Sequence, residues 1–392
     1  MSEHEDQELD LSDDKVVTKY KAAAEICNKA IAAVIEACKD GAKVVDLCKV
    51  GDDVINKECA KSFKGKQIEK GVAFPTCVSP NSIVGHFSPL ADNPLTVKDG
   101  DLVKIDLGCH IDGFISTQAQ TVLVGTSFDT PITGKAADLL EAARTAFNAA
   151  IRLIKPGKRV SDVAPKLAAA VEPFGVALVE GVMSHQMKQF VIDGNKVILN
   201  KPSPEHKVED QEFEPNEVYA IDIVVSSGEG KPRMLDEKET TVYKRALDVE
   251  YKLKLKASRA VFSEISKKSP PCPSPSGALL ALTEGAEGEA KQDLSEGQLR
   301  LGLVECLSHS LLHPYPVLHE KQGDLVAQIK GTVLLMPNGS DKVTSAPEQK
   351  VETDKKVEDA ELLQLLATSL KPRKSSKKKS GTKAAEATEA AA

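Results

Sequence analysis

Apolar residues recur every three or four positions in several parts of the chain, which is the spacing of an α-helix with one buried face. The longest such stretch covers residues 15–39; a Ser-Asp-Asp capping sequence precedes it and Gly41 follows it. The same spacing predicts helices at 54–63, 135–154 and 161–174. Residues 75–94 are rich in Pro, Asn and Ser and predict a loop with a short strand.

A strand hairpin is predicted at 101–124, because apolar and polar residues alternate there around Asp112-Gly113, a two-residue turn signal. Another strand, EVYAIDIVV, covers 217–225. D-L-V-K-I-D-L in the hairpin and E-V-Y-A-I-D-I in the later strand resemble each other, and each follows two helices. GDLVAQIKG at 323–331 is a third echo, which carries Lys330. The echoes predict a duplicated helix-helix-sheet unit with a shared central site, or they arise by chance because they are short.

Asp106 is the candidate acid of such a site, because an ionised carboxylate inside an apolar strand is unfavourable unless a partner lies near it. A hairpin that turns at Asp112-Gly113 places Gly108 opposite Thr117. Asp106 and Thr117 are then diagonal neighbours on one face of the sheet. The hydroxyl of Thr117 is neutral and a poor ligand for a dication, so Thr117 does not complete a metal site with Asp106.

The composition is that of a soluble globular protein. Of 392 residues, 41% are hydrophobic and 28% are charged, and no run of about 18 apolar residues predicts a membrane span. The acidic N-terminus predicts no export signal. Eight cysteines without any C-x-x-C pair predict reduced thiols in a reducing compartment.

The net charge of −7 is unevenly distributed along the chain. Residues 1–14 contain seven acids and no Lys or Arg, whereas residues 371–383 contain seven basic residues and no acid. The basic block is either a solvated tail or a segment that binds phosphate backbones or directs nuclear import. Lysines also alternate with leucines at 252–256, which predicts one face of a strand that is either solvated or in contact with phosphate.

Five segments, in this order, resemble the successive motifs of type II methionine aminopeptidases: FPTCVSPNSIVGHFSP, KIDLGCHIDGFIST, EGVMSHQMKQFVIDG, NEVYAIDIVVSSGEG and VAQIKGTVLLMPNG. The resemblance covers roughly residues 15–345. It implies the α/β pita-bread fold, in which two pseudo-symmetric halves share a curved, mainly antiparallel sheet with helices outside. The duplication described above agrees with that fold.

The same resemblance implies an incomplete metal site. The peptidases hold two metal ions with two Asp, one His and two Glu. Asp106 and His185 match ligand positions of the peptidases, and Asp222 occupies the position of the first Glu. Thr117 occupies the position of the second Asp, and Lys330 occupies the position of the last Glu. An ammonium at a ligand position repels a dication by several kcal/mol, even at an effective dielectric constant of ~20.

The resemblance therefore implies neither metal nor cofactor, and it makes Lys330 a cation that neutralises Asp106 or Asp222. We expect a vestigial site, and no catalytic residues, at the following positions: His86, which matches the substrate-side histidine, Asp106, Thr117, His185, Asp222 and Lys330.

A narrower resemblance is carried by VVTKYK, CHIDGFI, SHQMKQFVIDG, SSGEGK, TVYKR, VLLMPNG and the lysine-rich end. These segments are similar to the proliferation-associated, ErbB-receptor-binding proteins, the non-peptidase branch of this fold. The resemblance implies a growth-linked protein of the cytoplasm, nucleus and nucleolus, without membrane insertion. Its implied partners are ribosomes, structured RNA, transcriptional cofactors and receptor cytoplasmic tails. The chain departs from that family at 269–277, which is rich in Pro and Ser, so we expect different packing there.

The candidate RNA- and ribosome-binding residues are the basic ones around the later strand and in the tail: Lys244, Arg245, Lys252, Lys254, Lys256, Lys371, Arg373, Lys374, Lys377, Lys378 and Lys379. A further motif, LLQLL, fits L-x-x-L-L and predicts a helix with Leu362, Leu365 and Leu366 on one face. That face either fills a groove of a partner protein or packs back onto the domain.

We expect an acidic, disordered segment at 1–14, a pita-bread domain at 15–340 with a basic insert at about 228–295, and a polar tail at 341–392. The predicted function is that of a catalytically inactive, aminopeptidase-like protein that binds RNA and ribosomes and regulates translation, ribosome biogenesis, transcription and growth. The alternative is an active metallo-aminopeptidase with an altered metal site.

Overall fold

The computed structural model describes residues 9–204, 207–246, 249–268, 274–275 and 296–370. The α-helices of this part of the chain are α1 Asp14–Ala37, α2 Val44–Lys61, α3 Gly134–Leu153, α4 Val163–Val171, α5 Lys256–Lys268, α6 Glu296–Ser308 and α7 Ala360–Ala367. Short 3-10 helices lie at Val160–Asp162, Glu172–Phe174 and Glu237–Glu239. None of these helices is long and apolar enough to cross a membrane.

The strands of the described residues are β1 Lys70–Pro80, β2 Ile83–Gly85, β3 Leu102–Ile111, β4 Phe114–Leu123, β5 Ala177–Leu178, β6 Met183–Met187, β7 Val197–Leu199, β8 Val218–Ser226, β9 Val242–Arg245, β10 Ser274–Pro275, β11 Leu312–Tyr315, β12 Leu318–His319, β13 Val326–Met336 and β14 Gly339–Lys342.

A nine-stranded sheet forms the centre of the described part of the molecule. Seven of its strands follow the order β1-β3-β4-β13-β8-β6-β7, while β14 pairs with β13 and β5 pairs with β8. Each of these pairings is antiparallel. Two smaller sheets, β10-β9-β11 and β12-β2, lie apart from it. The expected α/β pita-bread architecture, with a mainly antiparallel sheet and outer helices, is confirmed.

Each half of the sheet is covered by a pair of helices. Apolar residues at alternate positions of β3, from Val103 to Cys109, join α1 and α2 in one buried core. Alternate positions of β8, from Tyr219 to Val225, join α3 and α4 in another. Because side chains alternate along a strand, the even-numbered positions of β3 and β8 face away from these helices. The central strand β13 lies between the two halves and contributes residues to the second core.

Local sequence signals explain several element boundaries. Asp13 caps α1, because its carboxylate accepts a hydrogen bond of 2.8 Å from the backbone N–H of Lys15. Asp112 and Gly113 have φ values of 56° and 76°, which a two-residue hairpin turn requires. The register predicted from that turn is confirmed, since Gly108 pairs with Thr117.

Three predictions of secondary structure were wrong in part or in full. The helix predicted at 54–63 begins ten residues earlier, at Val44. The loop predicted from residue 75 is in its first part strand β1, which continues to Pro80. The alternating lysines at 252–256 do not lie on a strand: residues 251–255 are irregular and Lys256 begins α5. Leu253 is buried there, whereas Lys252 and Lys254 are exposed.

The polar tail begins later than residue 341. Ile132 forms a parallel bridge with Val351, and Val357 and Leu362 belong to the core around α3 and α4. Residues 341–370 are therefore part of the folded domain, while residues 1–8 and 371–392 lie outside the described residues. The cysteines that are described are all free and buried, and Cys272 lies outside them.

Candidate functional site

Four positions form one row across the central sheet: Asp106 on β3, Ala119 on β4, Lys330 on β13 and Asp222 on β8. They lie on the face away from the helices. Neighbouring strands are about 4.8 Å apart, so two strand spacings separate the backbone of Lys330 from that of Asp106. Ala119, which stands between them, has only a methyl group and leaves room for the lysine side chain to extend across.

The ammonium of Lys330 pairs with both carboxylates. Its Nζ lies 2.5 Å from Oδ2 of Asp106 and 3.0 Å from Oδ2 of Asp222. Gln328, two residues earlier on the same face, donates from Nε2 to Oδ1 of Asp222 at 2.9 Å. All four side chains are buried. The prediction that Lys330 neutralises one of the two acids is confirmed, and the lysine contacts both.

Burial and charge act against each other on this lysine. Burial alone would lower the pKa of Lys330, but the two carboxylates raise that pKa above its ordinary value, so the ammonium stays charged. Burial raises the pKa of Asp106 to about 6, and the attraction of Lys330 opposes this increase. Two acids therefore share one ammonium.

A cavity of about 290 Å³ lies next to the ion pair and is lined by Thr117, Asp222, Lys330 and two histidines, His86 and His185. Burial and the nearby lysine lower the pKa of His86 to about 4, and the same two causes lower the pKa of His185. Both imidazoles are therefore neutral at pH 7. The structure thus brings together the whole set of residues predicted as the vestigial site.

Aromatic rings form one wall of the cavity. The Nζ of Lys330 lies 5.4 Å from the ring centroid of Phe74, and Phe74 packs edge to face against His86 and Tyr315. A cation over an aromatic face is stabilised by the ring's quadrupole, so Phe74 adds to the stabilisation of the buried ammonium.

The residues present do not fit a metal ion. One oxygen of each acid that a metal would need, Oδ2 of Asp106 and Oδ2 of Asp222, is already in contact with the ammonium of Lys330. The hydroxyl of Thr117 is buried and has no hydrogen-bond partner, and it is a neutral group at a position that requires an anion. Across the described residues, no group of three or more His, Cys, Asp and Glu side chains is arranged to hold a metal.

The predicted nucleic-acid-binding residues fall into different environments. Lys252, Lys254 and Lys256 are exposed, as a phosphate-binding surface requires. Lys244 instead forms an ion pair with Asp193, and the guanidinium of Arg245 lies over the ring of Phe262. The tail residues of this prediction, from Lys371 to Lys379, lie outside the described residues.

The L-x-x-L-L helix packs on its own domain. Leu362 on α7 is fully buried in the core around α3 and α4, and Leu365 and Leu366 pack partly buried against the same core. Leu363, on the other side, is 48% exposed. Of the two alternatives, the structure has the docked helix, so the assignment of these three leucines to a partner's groove needs correction.

Four residues of the site were missed from the sequence, and two of them, Ala119 and Gln328, had a local signal. Ala119 could have been found by counting along the hairpin, since it pairs with Asp106. Gln328 lies inside the third sequence echo, two residues before Lys330, and period-two alternation places both on one face. Both therefore had a local signal, whereas Phe74 and Tyr315 had none.

Comparison with known proteins identifies similar chains. Residues 18–245 match metallopeptidase family M24. ErbB-3 binding protein 1 of Solanum tuberosum is 52% identical over 386 residues, which cover 97% of this chain and 95% of that protein. A curved DNA-binding protein of Schizosaccharomyces pombe is 41% identical over 380 residues, which cover 94% of each chain.

A solved structure has the same fold over nearly the whole length. The structure of a thermophilic Arx1 superposes with a TM-score of 0.81 at 27% sequence identity, covering 92% of this chain and 100% of that one. The likeness therefore extends past residue 245, where the match to the family ends and after which β13 follows.

Proposed function

Because this chain belongs to metallopeptidase family M24 and, within it, to the proliferation-associated, ErbB-3-binding branch, we propose that it is a non-catalytic binding protein. We propose further that it binds structured RNA and ribosomes and so regulates translation, ribosome biogenesis, transcription and cell growth. The first proposal, that the protein is not a catalyst, rests on one observation: the ammonium of Lys330 contacts both Asp106 and Asp222.

A hydrolytic metallopeptidase needs free carboxylates to hold the metal that activates the attacking water. In this chain the two buried acids already share a cation that belongs to the polypeptide. A dication could approach them only if Lys330 moved away or lost its proton, and the raised pKa of this lysine opposes the loss of the proton. These contacts support a site that is stable without metal and has no activated water.

Metal binding and peptidase activity test the first half of the proposal. The purified protein is equilibrated with manganese or cobalt, freed from unbound ions, and analysed for metal content and for release of methionine from a methionyl peptide. We expect far less than one metal ion per chain and no release of methionine. Stoichiometric metal together with metal-dependent release would overturn the proposal in favour of the alternative, an active aminopeptidase with an altered site.

A variant with two acids added is the matched comparison for that experiment. Thr117→Asp together with Lys330→Glu places carboxylates at both positions where the peptidases have them. We expect this double variant to bind metal more tightly than the unchanged protein, because the repelling ammonium is gone and two anionic ligands are added. Equal metal content in both proteins would mean that Lys330 is not what prevents binding.

Two observations support the proposal that the protein binds RNA and ribosomes. Lys252, Lys254 and Lys256 are exposed within a short segment, where they are free to approach phosphates. A relative with 41% identity over 94% of the chain is named for binding curved DNA. If lysine–phosphate contacts dominate, affinity should fall steeply as salt rises, because bound counterions are released.

Co-sedimentation with ribosomes, and binding to a structured RNA, over a series of salt concentrations tests this half. Changing Lys252, Lys254 and Lys256 to Glu should weaken binding at least tenfold at moderate salt and flatten the salt dependence. The matched control changes three exposed lysines elsewhere on the surface to Glu: Lys39, Lys135 and Lys158. If the wild type does not bind, or if both triple variants bind alike, the proposal is wrong or the surface is misassigned.

We also propose that transcriptional cofactors and receptor cytoplasmic tails are further partners, and that the protein occupies cytoplasm, nucleus and nucleolus. The basic residues of 371–383 are the candidate import signal, although they lie outside the described residues. A fluorescent fusion with these seven residues changed to Gln keeps the chain length and should stay in the cytoplasm. An unchanged distribution would reject the signal.

A further inference from the structure

A second cavity, of about 500 Å³, lies away from the ion-paired site, beside the exposed lysines of 252–256. Its lining includes Arg245 at the end of β9, Lys252, Glu250 and two aromatic residues, Tyr251 and Phe262. It shares no lining residue with the cavity over Lys330. The volume lies within the range of about 300–1,000 Å³ that small-molecule sites occupy.

Arg245 lines this cavity and carries a buried hydrogen-bond donor without a partner. Its guanidinium carbon lies 4.9 Å from the ring centroid of Phe262, which holds the planar group in place. Its Nε is buried and has no hydrogen-bond partner. A buried N–H without an acceptor is unfavourable, so a small movement of the Arg245 side chain toward a ligand oxygen in the cavity would relieve the cost.

Charge favours an anionic ligand. Arg245 and Lys252 contribute two positive charges to the lining, against one negative charge from Glu250. Arginine is well suited to bind a phosphate, because its planar fork of donors matches phosphate oxygens. A phosphodiester carries one negative charge, which equals the net excess of the lining.

Tyr251 supplies a flat surface of the kind that bases stack on. Its ring is stacked on that of His309, with the ring centroids 3.6 Å apart and an angle of 16° between the planes. Tyr251 lines the cavity and is 38% exposed, so part of the residue is accessible despite this stacking. Aromatic side chains beside cationic groups are the usual combination for unpaired nucleotides.

We propose that this cavity binds one unpaired nucleotide of a single-stranded RNA segment, with its phosphate against Arg245 and Lys252 and its base against Tyr251. The inference rests on the proposed RNA binding and adds to it a defined contact point. It predicts that two groups of basic residues behave differently: those that line the cavity, and the neighbouring Lys254 and Lys256, which do not.

The test measures binding of a short single-stranded RNA to the full-length protein by fluorescence anisotropy. Tyr251→Ala should weaken binding about tenfold with little change in the salt dependence, because it removes stacking and no charge. Tyr251→Phe should restore binding, since the ring remains. Lys252→Ala should weaken binding more than Lys254→Ala, although both remove one positive charge. Thermal melting of each variant checks that the fold is kept.

The outcomes separate this inference from the proposed function. If RNA binds but Tyr251→Ala binds like the wild type, or if Lys254→Ala is as harmful as Lys252→Ala, the cavity is not a nucleotide site and general RNA binding stands. If the wild type binds no RNA at any salt concentration, both fail. A mononucleotide monophosphate is the second probe: tight binding that RNA does not compete with would assign the cavity to a free nucleotide and overturn the inference.

Discussion

At the scale of single residues, the buried ammonium of Lys330 is stabilised by several neighbouring groups. Two carboxylates contact its ammonium, the ring of Phe74 lies beside it, and the small side chain of Ala119 leaves the path open. A buried charge is tolerated only when partners of this kind compensate for lost hydration. When the lysine is removed, its two acidic partners destabilise the fold, because two buried carboxylates then face each other.

Replacing Lys330 with Met should therefore be strongly destabilising. We expect the free energy of unfolding to fall by about 3–5 kcal/mol, as when one member of a buried ion pair is removed. Urea denaturation monitored by circular dichroism measures the change. Lys350→Met is the control, because Lys350 pairs with Asp129 at the exposed surface, where such pairs contribute about 0–1 kcal/mol. A loss as small as that of the control would contradict the assigned role.

His110 predicts how stability depends on pH. Burial lowers its pKa to about 4, and its Nδ1 accepts a hydrogen bond from the backbone N–H of Gly113. The unfolded chain binds a proton on this histidine below its ordinary pKa of about 6.5, whereas the folded chain does not until about pH 4. Stability is therefore lost as pH falls through that window.

The size of this effect follows from the two pKa values. Between pH 7 and pH 5 the contribution of His110 should fall by ~2 kcal/mol. In His110→Gln, which keeps an acceptor and cannot titrate, the decrease in stability over this interval should be smaller by that amount. Denaturation of both proteins at the two pH values measures the difference. Equal decreases in the two proteins would mean that the pKa of His110 is the same in the folded and the unfolded chain.

At the scale of secondary-structure elements, helix α7 shows how the fold uses an L-x-x-L-L pattern. Leu362→Ala removes a fully buried side chain and should cost about 2–5 kcal/mol of unfolding free energy. Leu363→Ala, on the exposed side of the same helix, should change it by less than about 0.5 kcal/mol. Thermal or urea denaturation distinguishes the two. If both changes were neutral, α7 would be free to detach and offer its leucines to a partner.

Some elements could be predicted from sequence and others could not. Helices α1 and α3 and the β3–β4 hairpin carry strong local signals, namely regular apolar spacing, a capping aspartate and an Asp-Gly turn. The start of α2 was missed, because Gly51 in its middle weakens the helical pattern. A Cβ at Gly51 would lie 2.3 Å from the Oγ1 of Thr76, so close packing against β1 requires this glycine.

The other two errors have equally local causes. Strand β1 contains Pro75, and this proline led to the prediction of a loop at this position. The strand accommodates it where its pairing with β3 shifts register between Phe74 and Cys77. The alternation of lysine and leucine at 252–256 arises in an irregular segment, where Leu253 alone is buried. Alternation without flanking strand partners is therefore a weak signal.

At the scale of the whole molecule, the central site depends on contacts between residues far apart in sequence. The hairpin count alone gave the relation of Asp106 to Thr117, because both lie in adjacent strands. The contact between Asp106 and Lys330 required β13 to lie between β4 and β8, which no local pattern specifies. Only the resemblance to the aminopeptidases, which supplied the ligand positions, predicted that the two residues meet.

The two halves of the molecule are joined at the site by an ion pair, so thermal stability should not depend on metal. We expect the midpoint of thermal unfolding to stay unchanged when the protein is incubated with a strong chelator, because a ligand that is not bound contributes no stabilisation. Differential scanning fluorimetry measures this, with a metal-loaded methionine aminopeptidase treated in parallel. A lower midpoint in the presence of the chelator would show that the protein binds a stabilising metal ion, and it would contradict this prediction.

The position of β13 also determines the order in which the fold can be completed during synthesis. Asp106 precedes Lys330 by 224 residues, so at 5–20 residues per second roughly 10–45 s pass before the acid's cationic partner exists. Until then β4 and β8 lack the strand that joins them. Until β13 has been made, the first half of the sheet therefore has an unpaired edge at β4 and an acid without its cationic partner.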